Sequence, residues 1–202
     1  AYTSQGEATH RAQAWTDGIL YSTDRTVPLQ PQSQTDAIFN GIITGLRHLD
    51  HIRGAKNKVL VAASGGIDSS VVLCLLEQAL GPERICAVNM PTRYNSQITQ
   101  DNAHDLCRAL KLDYLSCPIG DLYRAVSEKI QAVEFPHHDG VYTRLVDENI
   151  QARIRFADVL SGIAAKHGML FTNNGNKTEV ALGYATLYGD VSGAVAPIAD
   201  LY

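Results

Sequence analysis

The chain has 202 residues, 45% of them hydrophobic, with 17 Lys and Arg against 21 Asp and Glu, a formal net charge of −4. This suits one core-bearing domain with a margin left over, and the negative charge argues against nucleic-acid backbone binding as the main activity, because such affinity is largely electrostatic. No apolar run is long enough to span a membrane and the first residues lack the apolar centre of a signal peptide, so a cytoplasmic protein without membrane contact is expected.

Residues 1–33 are polar and aperiodic, with Pro28 and Pro31 near their end, which predicts a linker or strap from an upstream region. From Gln34 the apolar positions Ala37, Ile38, Ile42, Leu46 and Leu49 recur at helical spacing behind Ser33 or Thr35 as caps. Strands and helices then alternate: a strand over 58–62, a helix over 69–80 closed by Gly81-Pro82, a strand over 84–90 and a helix over 96–110. A strand over 113–119, a helix over 121–133, a long helix over 147–167 closed by Gly168, a strand over 169–173 and a helical stretch over 177–188 follow. The alternation predicts an α/β fold, a doubly wound parallel sheet flanked by helices, over 34–202. Residues 134–144 break the pattern and are expected to form a surface loop or lid, in which the adjacent His137 and His138 point different ways and make a poor chelating pair. Cys74, Cys86, Cys107 and Cys117 show no Cys-x-x-Cys spacing and fall in or beside apolar runs, so they read as small buried hydrophobes in a reducing compartment. The end, 197–202, reads as a strand-to-helix approach with no helix after it, and a domain cut at its C-terminus is expected.

The segment with most chemistry is Ser-Gly-Gly-Ile-Asp-Ser-Ser over 64–70, between a buried strand and an apolar helix. Gly65 and Gly66 permit a tight turn, and Ser69 and Ser70 lie where helix amides point at an anion. The spacing and lysine of a Walker loop are missing. Asp68 beside a phosphate cradle would repel its ligand unless a cation intervened, which implies Mg²⁺; the competing reading is a helix-capping acid.

This segment is similar to the signature loop of the ATP pyrophosphatases, which cleave ATP between its α and β phosphates and adenylate an oxygen. With it come Met-Pro-Thr-Arg-Tyr-Asn-Ser over 90–96, Glu-Asn-Ile-Gln-Ala-Arg over 148–153, Gly-Asn-Lys-Thr-Glu over 175–179 and Leu-Tyr-Gly-Asp over 187–190. In this order the set resembles the NAD synthetase family, specifically the synthetase domain of its glutamine-dependent type, a Rossmann-like, adenine nucleotide alpha hydrolase-like fold. The resemblance implies a C–N ligase that adenylates the nicotinate carboxylate of deamido-NAD with ATP, releases pyrophosphate, and lets ammonia displace AMP to give NAD. Alternatives from the residues are another ATP pyrophosphatase with a different acceptor, or a non-catalytic ATP-binding module.

The resemblance also implies that Ser64, Gly65, Gly66, Ser69 and Ser70 hold the ATP phosphates, that Asp68 and Glu179 bind Mg²⁺, that Arg93 borders the adenosine site, and that Lys177 supports phosphate charge. Asn174 stands among the ATP-binding positions where the family usually carries Thr. Asn149 and Arg153, one helical turn apart, would meet deamido-NAD, and Asp190 the nicotinate half. For each polar residue a solvated or turn-forming role is the alternative, and for Tyr142, Tyr184 and Tyr188 packing competes with stacking on a nicotinate ring. No glutaminase segment is found, so glutamine hydrolysis is assigned to a part of the whole protein outside this chain. The resemblance implies a homodimer or larger assembly, with the apolar face of the 147–167 helix as the candidate contact.

Overall fold

The computed structural model describes residues 33–54 and 56–202, together with Gln5 and Trp15. The strap expected over 1–33 therefore falls almost wholly outside the described residues. Four strands, β1 (Val59–Ala62), β2 (Ile85–Asn89), β3 (Asp113–Ser116) and β4 (Leu170–Phe171), form a parallel sheet in the order β3-β2-β1-β4. Chain order runs outward from β1 through β2 to β3, then returns to the other side of β1 for β4. The direction of winding therefore reverses between β1 and β4, the place where open α/β sheets leave a crevice.

Every residue of β1 and β2 is buried, as strands covered on both faces must be. Alternate residues serve two cores. Val59, Val61, Ile85 and Ala87 face α1 (Gln34–Ile52), α2 (Ile67–Leu80) and α3 (Gln97–Ala109). Leu60, Ala62, Cys86 and Val88 face α4 (Gly120–Gln131) and a long helical run. That run comprises α5 (Arg144–Arg153), a π-helical segment over Ile154–Leu160, and α6 (Ser161–His167). Leu73 and Leu76 of α2 are almost wholly buried, so truncating either to alanine costs about 2–5 kcal/mol.

Side-chain caps explain some helix starts. Ser33 accepts from the Asp36 amide at 3.1 Å and Ser96 from the Thr99 amide at 3.2 Å, each satisfying a first-turn donor. Gly168, in the left-handed region at φ 62°, closes the long helical run.

Some boundaries differ from the sequence expectation. The long helix begins at Arg144 behind Thr143, inside the stretch read as a loop. Its apolar residues Ile150, Ile154, Leu160 and Ala164 are buried in the second core, so that face covers the protein's own sheet rather than being the expected dimer contact. Strand β3 ends at Ser116, and β4 has two residues before Thr172 bridges to Val195. The helical stretch after 177 is α7 (Lys177–Leu182), stopped by Gly183 at φ 69°. Cys86 and Cys107 are buried as expected, whereas Cys74 is exposed on the outer side of α2 and Cys117 is half-buried.

Candidate functional site

A cleft of about 400 Å³ opens over the carboxyl ends of β1 and β2, where the winding reverses. Its floor is Ala62, Ala63, Val88 and Asn89, and its walls include Ser64, Asp68, Arg155, Asn174, Glu179 and Asp190.

The turn leaving β1 is held closely. Gly65 has φ 81°, and a Cβ there would lie 1.8 Å from the carbonyl oxygen of Thr99 on α3; only glycine fits under that carbonyl. Gly66 is the N-cap of α2 and no side chain caps its first turn. The hydroxyls of Ser69 and Ser70 instead donate back to the Gly66 carbonyl at 3.0 and 2.8 Å, and the Gly66 amide donates to Ser64 Oγ at 3.2 Å. First-turn amides of a 14-residue helix are thus left for an anion.

Two asparagines fix the strand ends beneath the turn. Asn174 Nδ2 donates to the Ala62 carbonyl at 2.9 Å while its Oδ1 accepts from Thr172 Oγ1 at 2.7 Å. Asn89 Nδ2 donates to the Ala63 carbonyl at 2.6 Å. Asn89 Oδ1 is the one buried side-chain polar atom without a hydrogen-bond partner among the described residues.

Asp68 and Glu179 approach each other through Asn176. Asn176 Nδ2 donates to Asp68 Oδ1 at 3.3 Å, and Asn176 and Glu179 form a reciprocal capping box at the start of α7, with bonds of 3.0 and 3.1 Å. Both acids line the cleft beside the free end of α2. Two hard carboxylates next to an anion cradle match the donor set of Mg²⁺, which takes one or two carboxylates and completes its shell with phosphate oxygens and water.

A second group gathers around the loop after α7. Asn149 Oδ1 accepts from Thr186 Oγ1 at 2.9 Å, Asp190 Oδ1 accepts from the Thr186 amide at 2.7 Å, and Arg153 Nε donates to the Leu187 carbonyl at 3.3 Å. A Cβ on Gly189 would meet Ala152 at 3.0 Å, so this loop lies directly on the long helix. The three residues expected at the substrate therefore converge, and Asp190 reaches the cleft wall.

Arg93 and Lys177 lie outside the cleft lining. The Arg93 guanidinium stacks 4.9 Å over Tyr94 and donates to its hydroxyl at 2.7 Å, and the Lys177 ammonium lies 4.9 Å over the ring of Tyr202. Tyr142 and Tyr123 donate to Asp147 Oδ1 at 2.7 and 2.6 Å; these bonds hold the Asp147 carboxyl below its usual value, and the Tyr123 hydroxyl is pushed well up. Tyr142 is thus engaged with the protein, while Tyr184 and Tyr188 are exposed.

Three residues have no role assigned in the motif reading: Asn89 and Arg155 line the cleft, and Asn176 joins its two acids. Asn176 carries an Asn-x-x-Glu capping signal legible in the sequence. The signal for Arg155 is a charge between Ile154 and Phe156 in an apolar helical stretch; burial lowers its affinity for its proton, and no carboxylate opposes this.

Residues 38–202 match the family model described as NAD synthase. A glutamine-dependent NAD(+) synthetase from Thermotoga maritima is 38% identical over 83% of this chain and 28% of that protein. The solved glutamine-dependent NAD+ synthetase of Acinetobacter baumannii in complex with ADP superposes with TM-score 0.79 at 31% identity, over 88% of this chain and 33% of that one. The NH3-dependent NAD synthetase of Campylobacter jejuni, in complex with nitrate, gives TM-score 0.69 at 30% identity, over 82% of this chain and 67% of that one. The chain spans about a third of the length of the curated relatives it matches, 28% to 37%.

Proposed function

The chain belongs to the NAD synthase family, and from that premise we propose that it carries the ATP-using, ammonia-consuming half-site for making NAD from deamido-NAD. A nicotinate carboxylate oxygen attacks the α-phosphorus of ATP, the bond to the β-phosphate breaks, and pyrophosphate leaves. Ammonia then attacks the acyl carbon, loses a proton, and AMP departs with the carbon–oxygen bond electrons. No covalent bond to the protein is required. In the whole protein, a glutaminase region supplies the ammonia from glutamine.

The observation that carries this reading is the meeting of Asp68 and Glu179 at Asn176 beside the uncapped start of α2. Ser64, Gly65, Gly66, Ser69 and Ser70 receive the ATP phosphates on amides and hydroxyls, and Asp68 and Glu179 would hold Mg²⁺, which would supply positive charge where negative charge builds on the pyrophosphate. Asn174 positions the strand end beneath the phosphates, and Arg93 borders the adenosine. Lys177 adds positive charge if its ammonium leaves Tyr202 when the triphosphate arrives. Asn149, Arg153 and Asp190 form the deamido-NAD side.

Assembly as a homodimer is part of the proposal. Leu122, Val126, Ile130 and Val133 are all exposed, between 38% and 55%, along one stripe of α4 and its end, where a second copy would cover them. No helix among the described residues is long and apolar enough to cross a membrane; four free thiols support a reducing, cytoplasmic setting.

The test is incubation of the chain with ATP, Mg²⁺, deamido-NAD and ammonium, with mass detection of products. Equal amounts of NAD and AMP are expected. AMP with an unchanged dinucleotide, or neither product, contradicts the reading.

A further inference from the structure

Arg155 is the one cation among the described residues lining the cleft, against the three carboxylates of Asp68, Glu179 and Asp190. Its Nε donates to the Met90 carbonyl at 3.1 Å, and one Nη2 donates to Asn95 Oδ1 at 3.2 Å and Gln151 Oε1 at 3.3 Å. All three acceptors are neutral. The other terminal nitrogen, Nη1, has no hydrogen bond among the described residues, and it is not among the buried orphan atoms, so it keeps exposed surface in a residue that lines the cleft. None of the ion pairs in the described residues includes this guanidinium.

A partly buried cation with no counter-charge is costly to hold in the empty protein. The bonds to Met90, Asn95 and Gln151 fix its plane and leave one edge open. A guanidinium held this way is preorganised to take an oxyanion through charge-assisted bonds. It also sits in a π-helical segment, a distortion found frequently at functional sites.

We propose that Arg155 is a substrate-binding residue of this cleft, whose Nη1 edge receives a phosphoryl or carboxylate oxygen of a bound nucleotide. This rests on the reading that the cleft binds ATP and deamido-NAD. Its bonds to Met90 and Asn95 also couple that contact to the loop after β2, so ligand binding tightens the segment carrying Arg93.

The experiment titrates the full chain, unaltered and as Arg155→Met and Arg155→Lys, with ATP, deamido-NAD and adenosine by calorimetry. Loss of about tenfold or more in affinity for ATP, deamido-NAD or both is expected in Arg155→Met, with adenosine held within about twofold and part of the loss recovered in Arg155→Lys. The nucleotide that suffers identifies the source of the oxyanion. Should Arg155→Met fail to fold, side-chain nitrogen NMR of the unaltered chain gives the same answer: the Arg155 resonances shift with the anionic ligand and not with adenosine. Unchanged affinities in a folded variant, equal losses for adenosine, or no shift with either nucleotide overturn the assignment. An unaltered chain that binds neither ATP nor deamido-NAD overturns instead the proposed function on which it rests.

Discussion

The two walls of the cleft are built differently. The wall formed by Ser64 to Ser70 is a single run of chain, shaped by two glycines and the start of α2, with the Thr99 carbonyl above, two asparagines below and Asn176 bonded to Asp68. The other wall takes Arg155 from the long helical run and Asp190 from the loop after α7, held by bonds to separate segments: Arg155 to Asn95, and Asp190, like Asn149 behind the lining, to Thr186. The first wall has one tightly fixed geometry, while the second is a set of separable contacts. Substitutions in the first should therefore act all at once, and those in the second by degrees.

Gly65→Ala is the harshest test. The added carbon would overlap a backbone oxygen in a left-handed conformation, so detectable ATP binding is expected to vanish in calorimetry; retention of normal affinity would show that the turn is not rigid. Asp68→Asn keeps the shape and removes the charge, and turnover at saturating Mg²⁺ is expected to fall about 100-fold or more, with an unchanged circular dichroism spectrum. On the outer surface, Val126→Glu places a charge in the α4 stripe. Sedimentation of the unaltered chain at micromolar concentration is expected to give a dimer and of the variant a monomer; a monomer in both cases refutes the docking role.

Smaller effects belong to residues outside the Ser64 to Ser70 run. Asn176→Ala removes a capping box and the link to Asp68, which costs about 1 kcal/mol and should appear as faster amide exchange over 177–182 with a few-fold loss of turnover. The smallest change concerns acid stability. Tyr123 and Tyr142 depress the Asp147 carboxyl, so its stabilising contribution is present above the ordinary carboxylate value of about 3.9 and is lost as pH falls through the lower folded value. The gap in thermal midpoint between the unaltered chain and Asp147→Asn should narrow as pH drops from about 5 to 2; a gap independent of pH would mean the carboxylate charge contributes nothing.

The same contrast governs what the sequence made legible. The turn at Gly65 and Gly66, the alternation of strands and helices, and the set of short motifs are local, and each appears where the residues indicate. What escaped was long-range. The apolar face of the 147–167 stretch announces burial but not the surface it covers, and it covers the sheet through Ile150, Ile154 and Leu160. The stripe on α4 has the same periodicity yet stays exposed. Arg155 lies two positions beyond Arg153, on a different side of the helix, and only the tertiary contacts with Met90 and Asn95 show that it faces the cleft. The π-helical segment that carries it has no sequence signature among the residues used to place the helix.

The proposed function requires one cleft in which Asp68 and Glu179 would share a divalent ion with a triphosphate laid on α2. Calorimetric titration with ATP, with and without Mg²⁺, in the unaltered chain and in the Asp68→Ala, Glu179→Ala pair of substitutions, measures this directly. Binding that strengthens with Mg²⁺ in the unaltered chain and loses that dependence in the doubly altered one is the predicted result. An equal Mg²⁺ enhancement in both proteins would contradict it.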